Sequence, residues 1–194
     1  MKSDGALIHT ALLASRLTVG GSLAAHGAQK YFGAFGGPGL EGTAQMMHSL
    51  GFEPSDQFAK AVALTELTGG TLIALGALGA VGPAMMLSVM IVATETVHRK
   101  NGYFAADGGY EMNALYSVAA LLFANLGYGN ISVDRLTGLS KIHKPWLGWL
   151  TFAGGVAGAL SILSLRQPPA ESVPELASQG ALKNDPTGTE GAVT

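Results

Sequence analysis

Apolar residues run in long blocks along this chain, and the polar ones gather between them. A helix needs about 20 mostly apolar residues to cross a bilayer. Five blocks meet that length: Ala6 to Phe32, Gln57 to Leu78, Pro83 to the "HRKNG" stretch, Glu111 to Tyr128, and Pro145 to Leu165. Pro83 stands at a favoured first helical position. Trp146 and Trp149 at one end of the last block, and Arg166 at the other, read as interfacial anchors. The pattern predicts an all-α polytopic membrane bundle.

Between the first two blocks, "GAFGGPGLEGTAQMMHSLGFEPSD" (33–56) places Leu40, Ala44, Met47 and Leu50 on one side of a short helix suited to the membrane interface. Residues 167–194, rich in proline, glycine and small polar side chains, have no apolar period and read as a flexible or partner-bound tail. Gly20–Gly21, Gly69–Gly70 and the "GGVAG" of 154–158 offer small faces for close helix packing.

Composition agrees. Of 194 residues, 48% are hydrophobic and 12% charged, against about 25% charged in a soluble domain. With a net charge of -2 and no basic stripe interleaved with aromatics, nucleic acid is not an expected partner. Cysteine is absent, which removes disulfides, thiolate metal sites and a cysteine nucleophile from this chain. "MKSDG" sets Lys2 against Asp4, and Arg16 interrupts the apolar run that follows, so the first block reads as a retained span rather than a cleaved signal.

Threading five spans puts the N-terminus, the 79–82 turn and the 129–144 loop on one side, A. The 33–56 and 99–111 loops and the tail fall on the other, B. Basic residues lie on both sides, so the positive-inside rule does not orient the chain.

Charge inside a bilayer is costly and marks a candidate site. Counted from the span ends, Arg16 lies about 15 Å from side A and Glu66 about 14 Å from side B, which suggests a buried Arg16–Glu66 ion pair. On the first span Arg16, His26 and Lys30 fall within an arc of about 80°. On the third, Glu95 and His98 are three apart and share a face under α-helical spacing. Glu111 opens the fourth, where a carboxylate suits a helix N-terminus. Together His26, Lys30, Glu66, Glu95, His98 and Glu111 suggest a wet cavity open to side B, floored by Arg16 and Glu66. Such a set suits a quinone held by histidine with carboxylates relaying protons; haem held by two histidines and a His/Glu metal site are weaker fits, and no metal is assigned. No dinucleotide-binding glycine motif is present.

Five stretches, "SRLTVGGSLAAHGAQKYFG", "GLEGTAQMMHSLGFEPS", "ELTGG", "VHRKNGYFAADGGYE" and "YGNISVDRL", resemble in order the DoxX family of small bacterial membrane proteins, over about Leu7 to Leu136. The resemblance implies a four-helix membrane bundle in the bacterial inner membrane, belonging to quinone-linked oxidoreductases such as thiosulfate:quinone oxidoreductase or terminal quinol oxidase complexes, or associated with redox-defence systems. The family's polar positions fall on Arg16, His26, Lys30, Glu66, His98, Asn101 and Glu111. Glu95 comes from spacing alone.

The expected organisation is a DoxX-like bundle over 1–136, an additional transmembrane helix within 137–166, and the tail 167–194. The fifth helix departs from the family's minimal form and suits docking into a larger assembly. The expected function is an integral subunit of a quinone-linked redox complex, with lipid, other subunits and quinone as partners and no covalently bound cofactor. The alternatives are an enzyme of the thiosulfate:quinone type and a purely structural accessory subunit.

Overall fold

A computed structural model describes residues 2–142, 144 and 146–167; the expected tail beyond Gln167 and the expected start of the last span at Pro145 lie outside the described residues. Among the described residues, seven α-helices form in chain order: α1 (Lys2–Phe32), α2 (Gly39–Ser49), α3 (Ser55–Leu75), α4 (Val81–Ala93), α5 (Glu111–Leu126), α6 (Val133–Thr137) and α7 (Leu147–Ser164). No strand occurs among the described residues. α4 runs on through a π-helical turn at Thr94–His98 and a 3-10 turn at Arg99–Asn101. Among the described residues, three helices are long and apolar enough to cross a membrane: Gly5–Phe32, Ser55–Leu75 and the α4 continuation Val81–Asn101. α5 and the apolar Gly148–Ser164 stretch of α7 are shorter and pack alongside them. The chain is a multi-pass membrane protein with a helix-bundle fold.

Small residues set the central contact. α1 and α3 run antiparallel with almost nothing between their backbones: a Cβ on Gly20 would lie 2.6 Å from Ala74 N and Gly70 O, and one on Gly27 or Gly70 would meet the backbone of Leu67 or Ala24. Lipid gives helices no hydrophobic reason to associate, so close packing of this kind holds the pair together. The register follows, with Gly27 beside 63–67 and Gly20 beside 70–74. Gly69 then meets Met85 and Gly82 of α4, and Gly155 of α7 meets Ala84 and Leu87. The small face expected to dock α7 onto a partner therefore packs within the chain. Leu23, Ile73, Met86, Leu87, Met90, Ala120 and Phe123 fill the space these helices enclose.

α3 ends at Gly76 in the left-handed conformation (φ 67°). Gly76 N–H donates to Ile73 O (3.0 Å) and Ala77 N–H to Leu72 O (2.9 Å), a paired closure that satisfies the last carbonyls and turns the chain sharply into α4. The expected interfacial helix is α2. Its apolar side lies on α1 and α3 with Met47 and Thr43 buried, and Thr43 Oγ1 donates to Gly39 O at 2.7 Å.

Candidate functional site

α3 and α4 touch closely near their 76–80 turn and leave a cavity toward side B. It has a volume of about 270 Å³, with α2, the 50–52 corner and the end of α7 as its other walls. Its lining is mostly apolar, including Met47, Phe52, Phe58, Val89 and Val92. Phe52 and Phe58 pack with ring centroids 5.2 Å apart. Polar groups enter at few points. Lys30 Nζ bonds Glu66 Oε2 at 2.5 Å, with the two side chains 20% and 6% exposed. His98 joins the lining where the π turn ends. His98 Nδ1 donates to Gly108 O (2.8 Å), which leaves Nε2 as the ring nitrogen free to accept a proton or hydrogen bond.

Of the predicted residues, the structure brings Lys30, Glu66 and His98 to this cavity. His26, Glu95, Asn101 and Glu111 are not part of its lining. The inward face of α1 is defined by Arg16, Gly20, Leu23, Gly27 and Lys30, spaced by three or four. His26 falls at its edge, where it is exposed and bonds Gln29 Oε1 at 3.1 Å. Glu95 and His98 do not share a face because the segment between them is π-helical rather than α-helical. That wider turn leaves Thr96 buried and turns Glu95 outward to Arg99 (2.7 Å). Asn101 and Glu111 organise the 99–110 loop instead. Asn101 Nδ2 donates to Gly108 O (3.2 Å), and Glu111 Oε2 accepts Ala105 N–H (3.0 Å). Sequence periodicity assumes an uninterrupted helix, and nothing in "VATETVHRK" announces the π turn.

The expected Arg16–Glu66 pair does not form. Glu66 binds Lys30, and Arg16 donates from Nη1 to Ala74 O (2.6 Å) and from Nη2 to Ile131 O. Register is the reason. Arg16 stands beside Gly76, ten positions along α3 from Glu66 and so about 15 Å away at 1.5 Å per residue. Counting depth from the ends of two helices of 31 and 21 residues placed them level; the glycine contacts set the true alignment. The cavity thus has Lys30 and Glu66, without Arg16, on its polar wall.

A second polar cluster, missed in the sequence, surrounds Arg16 at side A. Asp134 accepts Leu78 N–H and Gly79 N–H, both at 2.8 Å. Asp134 N–H donates to Gly76 O (3.0 Å), and Tyr128 Oη donates to Gly79 O (2.7 Å). Each bond meets a backbone group at a helix end or turn, as non-helical backbone in a membrane protein requires. The signal was available: "YGNISVDRL" was visible as a motif, but its carboxylate had no partner assignable from spacing. Among the described residues, no three His, Asp or Glu side chains form a group able to hold a metal ion.

Comparison with known proteins bears on α1 to α4. Residues 11–99 match the DoxX family model, in agreement with the resemblance read from the sequence. The match includes Lys30, Glu66 and His98 of the cavity and ends at residue 99, within the "VHRKNGYFAADGGYE" stretch and before "YGNISVDRL". No curated protein and no solved structure matches the chain.

Proposed function

We propose that this protein is an integral subunit of a quinone-linked redox assembly of the bacterial inner membrane, and that its side-B cavity receives the head of a quinone. The observation that carries this reading is the cavity's make-up: an apolar, aromatic-containing space in which Lys30, Glu66 and His98 are the ionisable groups. Ligand sites for apolar rings have this character, with a few polar groups setting orientation. Ala61 both lines the cavity and is exposed on α3, so a lipid-soluble molecule has a path from the bilayer.

The donor set fits a quinone. The Lys30 ammonium and a protonated His98 Nε2 can donate to carbonyl oxygens, while the Glu66 carboxylate and neutral His98 Nε2 can accept from the hydroxyls of the reduced form. A quinone supplies two-electron, two-proton chemistry when bound. The residues of this chain would orient the ring and exchange protons at Nζ, Oε2 and Nε2. With no cysteine and no dinucleotide motif in the sequence, delivery of electrons is assigned to a partner chain. The same reasoning ranks the subunit role above a free-standing thiosulfate:quinone enzyme. A purely structural subunit is less favoured, because the small-residue face of α7 is already packed on α4.

Binding of a short-chain ubiquinone to the full chain in nanodiscs tests the proposal. Lys30→Met and His98→Gln are each expected to weaken binding about tenfold, the equivalent of one hydrogen bond. Absence of quinone binding by the unmodified chain overturns it.

A further inference from the structure

α7 reaches the cavity at one residue and grips its rim at two more. Ile162 is part of the lining. Four residues on, Arg166 Nε donates to Leu50 O at 2.6 Å, and Gln167 N–H donates to Gly51 O at 2.7 Å. Leu50 is the C-terminal cap of α2. A cation bonded there satisfies a carbonyl that the helix leaves open and complements the negative end of its dipole. Leu50 and Phe52 themselves line the cavity. The other end of this arrangement is fixed as well: Gly155 packs against Leu87 and Ala84, and Gly158 against Ser88, so α7 is seated on α4 before it reaches across to α2.

We infer that α7 is a wall of the ligand cavity, with Ile162 setting its width on that side and Arg166 and Gln167 positioning the 50–52 corner that forms its rim. The inference rests on the reading of this cavity as a ligand site, but not on the ligand being a quinone. It gives the helix beyond the DoxX-matched segment a role inside the chain. Because α2 is joined to α7 along the chain only through four intervening helices, the two rim bonds, with Ile162 packed against the Met47 and Phe52 cluster, couple them at this end. The face of α7 that carries Ile162 is thereby separated from its outer face, where Trp149, Leu150 and Leu160 are exposed.

The absence of cysteine allows a test that needs no ligand. Val92→Cys places a single thiol in the cavity lining, and Leu122→Cys places a control thiol on the exposed face of α5. Both are made in the full chain in nanodiscs and followed with a small membrane-permeant thiol reagent. Adding Arg166→Gln or Gln167→Pro is expected to raise labelling at position 92 about fivefold, as an open rim becomes more populated. Arg166→Lys keeps a donor for Leu50 O and should return the rate toward that of the unmodified rim. Ile162→Trp should slow labelling about tenfold by filling the space, and Ile162→Ala should speed it.

Labelling at position 122 should stay constant throughout. Equal rates at position 92 across the set overturn the inference, as does a parallel change at 92 and 122, which would report general loosening. Short-chain ubiquinone binding is measured separately. Loss of quinone binding by the unmodified chain, with labelling at 92 still governed by α7, removes the quinone and leaves the wall intact. Quinone binding that survives Ile162→Trp unchanged, with labelling at 92 also unchanged, removes the wall and leaves the quinone.

Discussion

Arg16 and Glu66 are both buried charges on the packed α1–α3 pair, 2% and 5% exposed, yet their surroundings at the two ends of the bundle differ in kind. At side A, Arg16, Asp134 and Tyr128 direct their hydrogen bonds to backbone groups of the 74–79 turn and of Ile131. At side B, Lys30 and Glu66 bond each other beside an open space that His98 also borders. Burial of charge in a membrane protein is therefore not enough to mark a ligand site. Charges bound to the ends of helices hold the fold, whereas charges that bond each other next to a cavity can exchange that partner for a ligand.

The largest expected effect comes from breaking the side-A arrangement. Arg16→Met leaves the Ala74 and Ile131 carbonyls without their donor, at a cost of about 3 kcal/mol. Reversible unfolding in mixed micelles should show that loss. Quinone affinity of the folded fraction should stay at the level of the unmodified chain, because Arg16 is about 15 Å along the helix from Glu66. A variant that instead kept its stability and lost ligand binding would reverse the assignment of the two ends.

An intermediate effect is expected at side B. Glu66→Gln and Lys30→Met each remove one half of the bonded pair, and the double variant should be less destabilised than the sum of the two. A coupling of about 1 kcal/mol is expected for a pair in which the lysine stays partly accessible. Breaking either partner alone should also alter ligand affinity, which the side-A substitution does not. Additive effects on stability would show that Lys30 and Glu66 act independently, and the comparison between the two ends would lose its basis.

Much of this architecture is legible in the chain. Apolar block length predicts the long helices, and the glycine pairs mark small packing faces, though not that α1 would meet α3 through them. The side-B grouping is legible in part: depth and helical arc single out Lys30, Glu66 and His98, and these three line one cavity. What misled was the use of ideal helices. A single π turn separates Glu95 from His98, and the register fixed by Gly20, Gly27 and Gly70 moves Arg16 away from Glu66. Neither can be obtained by counting residues from the ends of a span. Asp134 stands in a visible motif, but its role is not legible for a different reason: its partners are backbone N–H groups at Leu78 and Gly79, 56 and 55 positions away, and spacing does not assign backbone partners.

The smallest effect sharpens the contrast by placing a fully engaged charge at side B, outside the spanning segments. Glu53 is bonded on both oxygens: His48 Nδ1 donates to Oε1, and Ser55 N–H donates to Oε2 at 3.0 Å. The histidine bond first, then the backbone one, holds the Glu53 carboxyl below the usual carboxylate range. A carboxyl depressed on folding contributes stability that is fully present above its unfolded value and is lost as pH falls through the lower folded one. The effect is confined to that acidic window. An NMR titration of the Glu53 side-chain carboxyl carbon should give a midpoint below that of a free glutamate, and amide exchange at Ser55 should accelerate as the carboxyl protonates. Glu53→Gln should remove the pH dependence of Ser55 exchange while leaving the cavity's ligand affinity unchanged, since Glu53 is not part of its lining. A shift in ligand affinity with Glu53→Gln would mean that charges already bonded to backbone also govern the site, which the contrast between the two ends forbids.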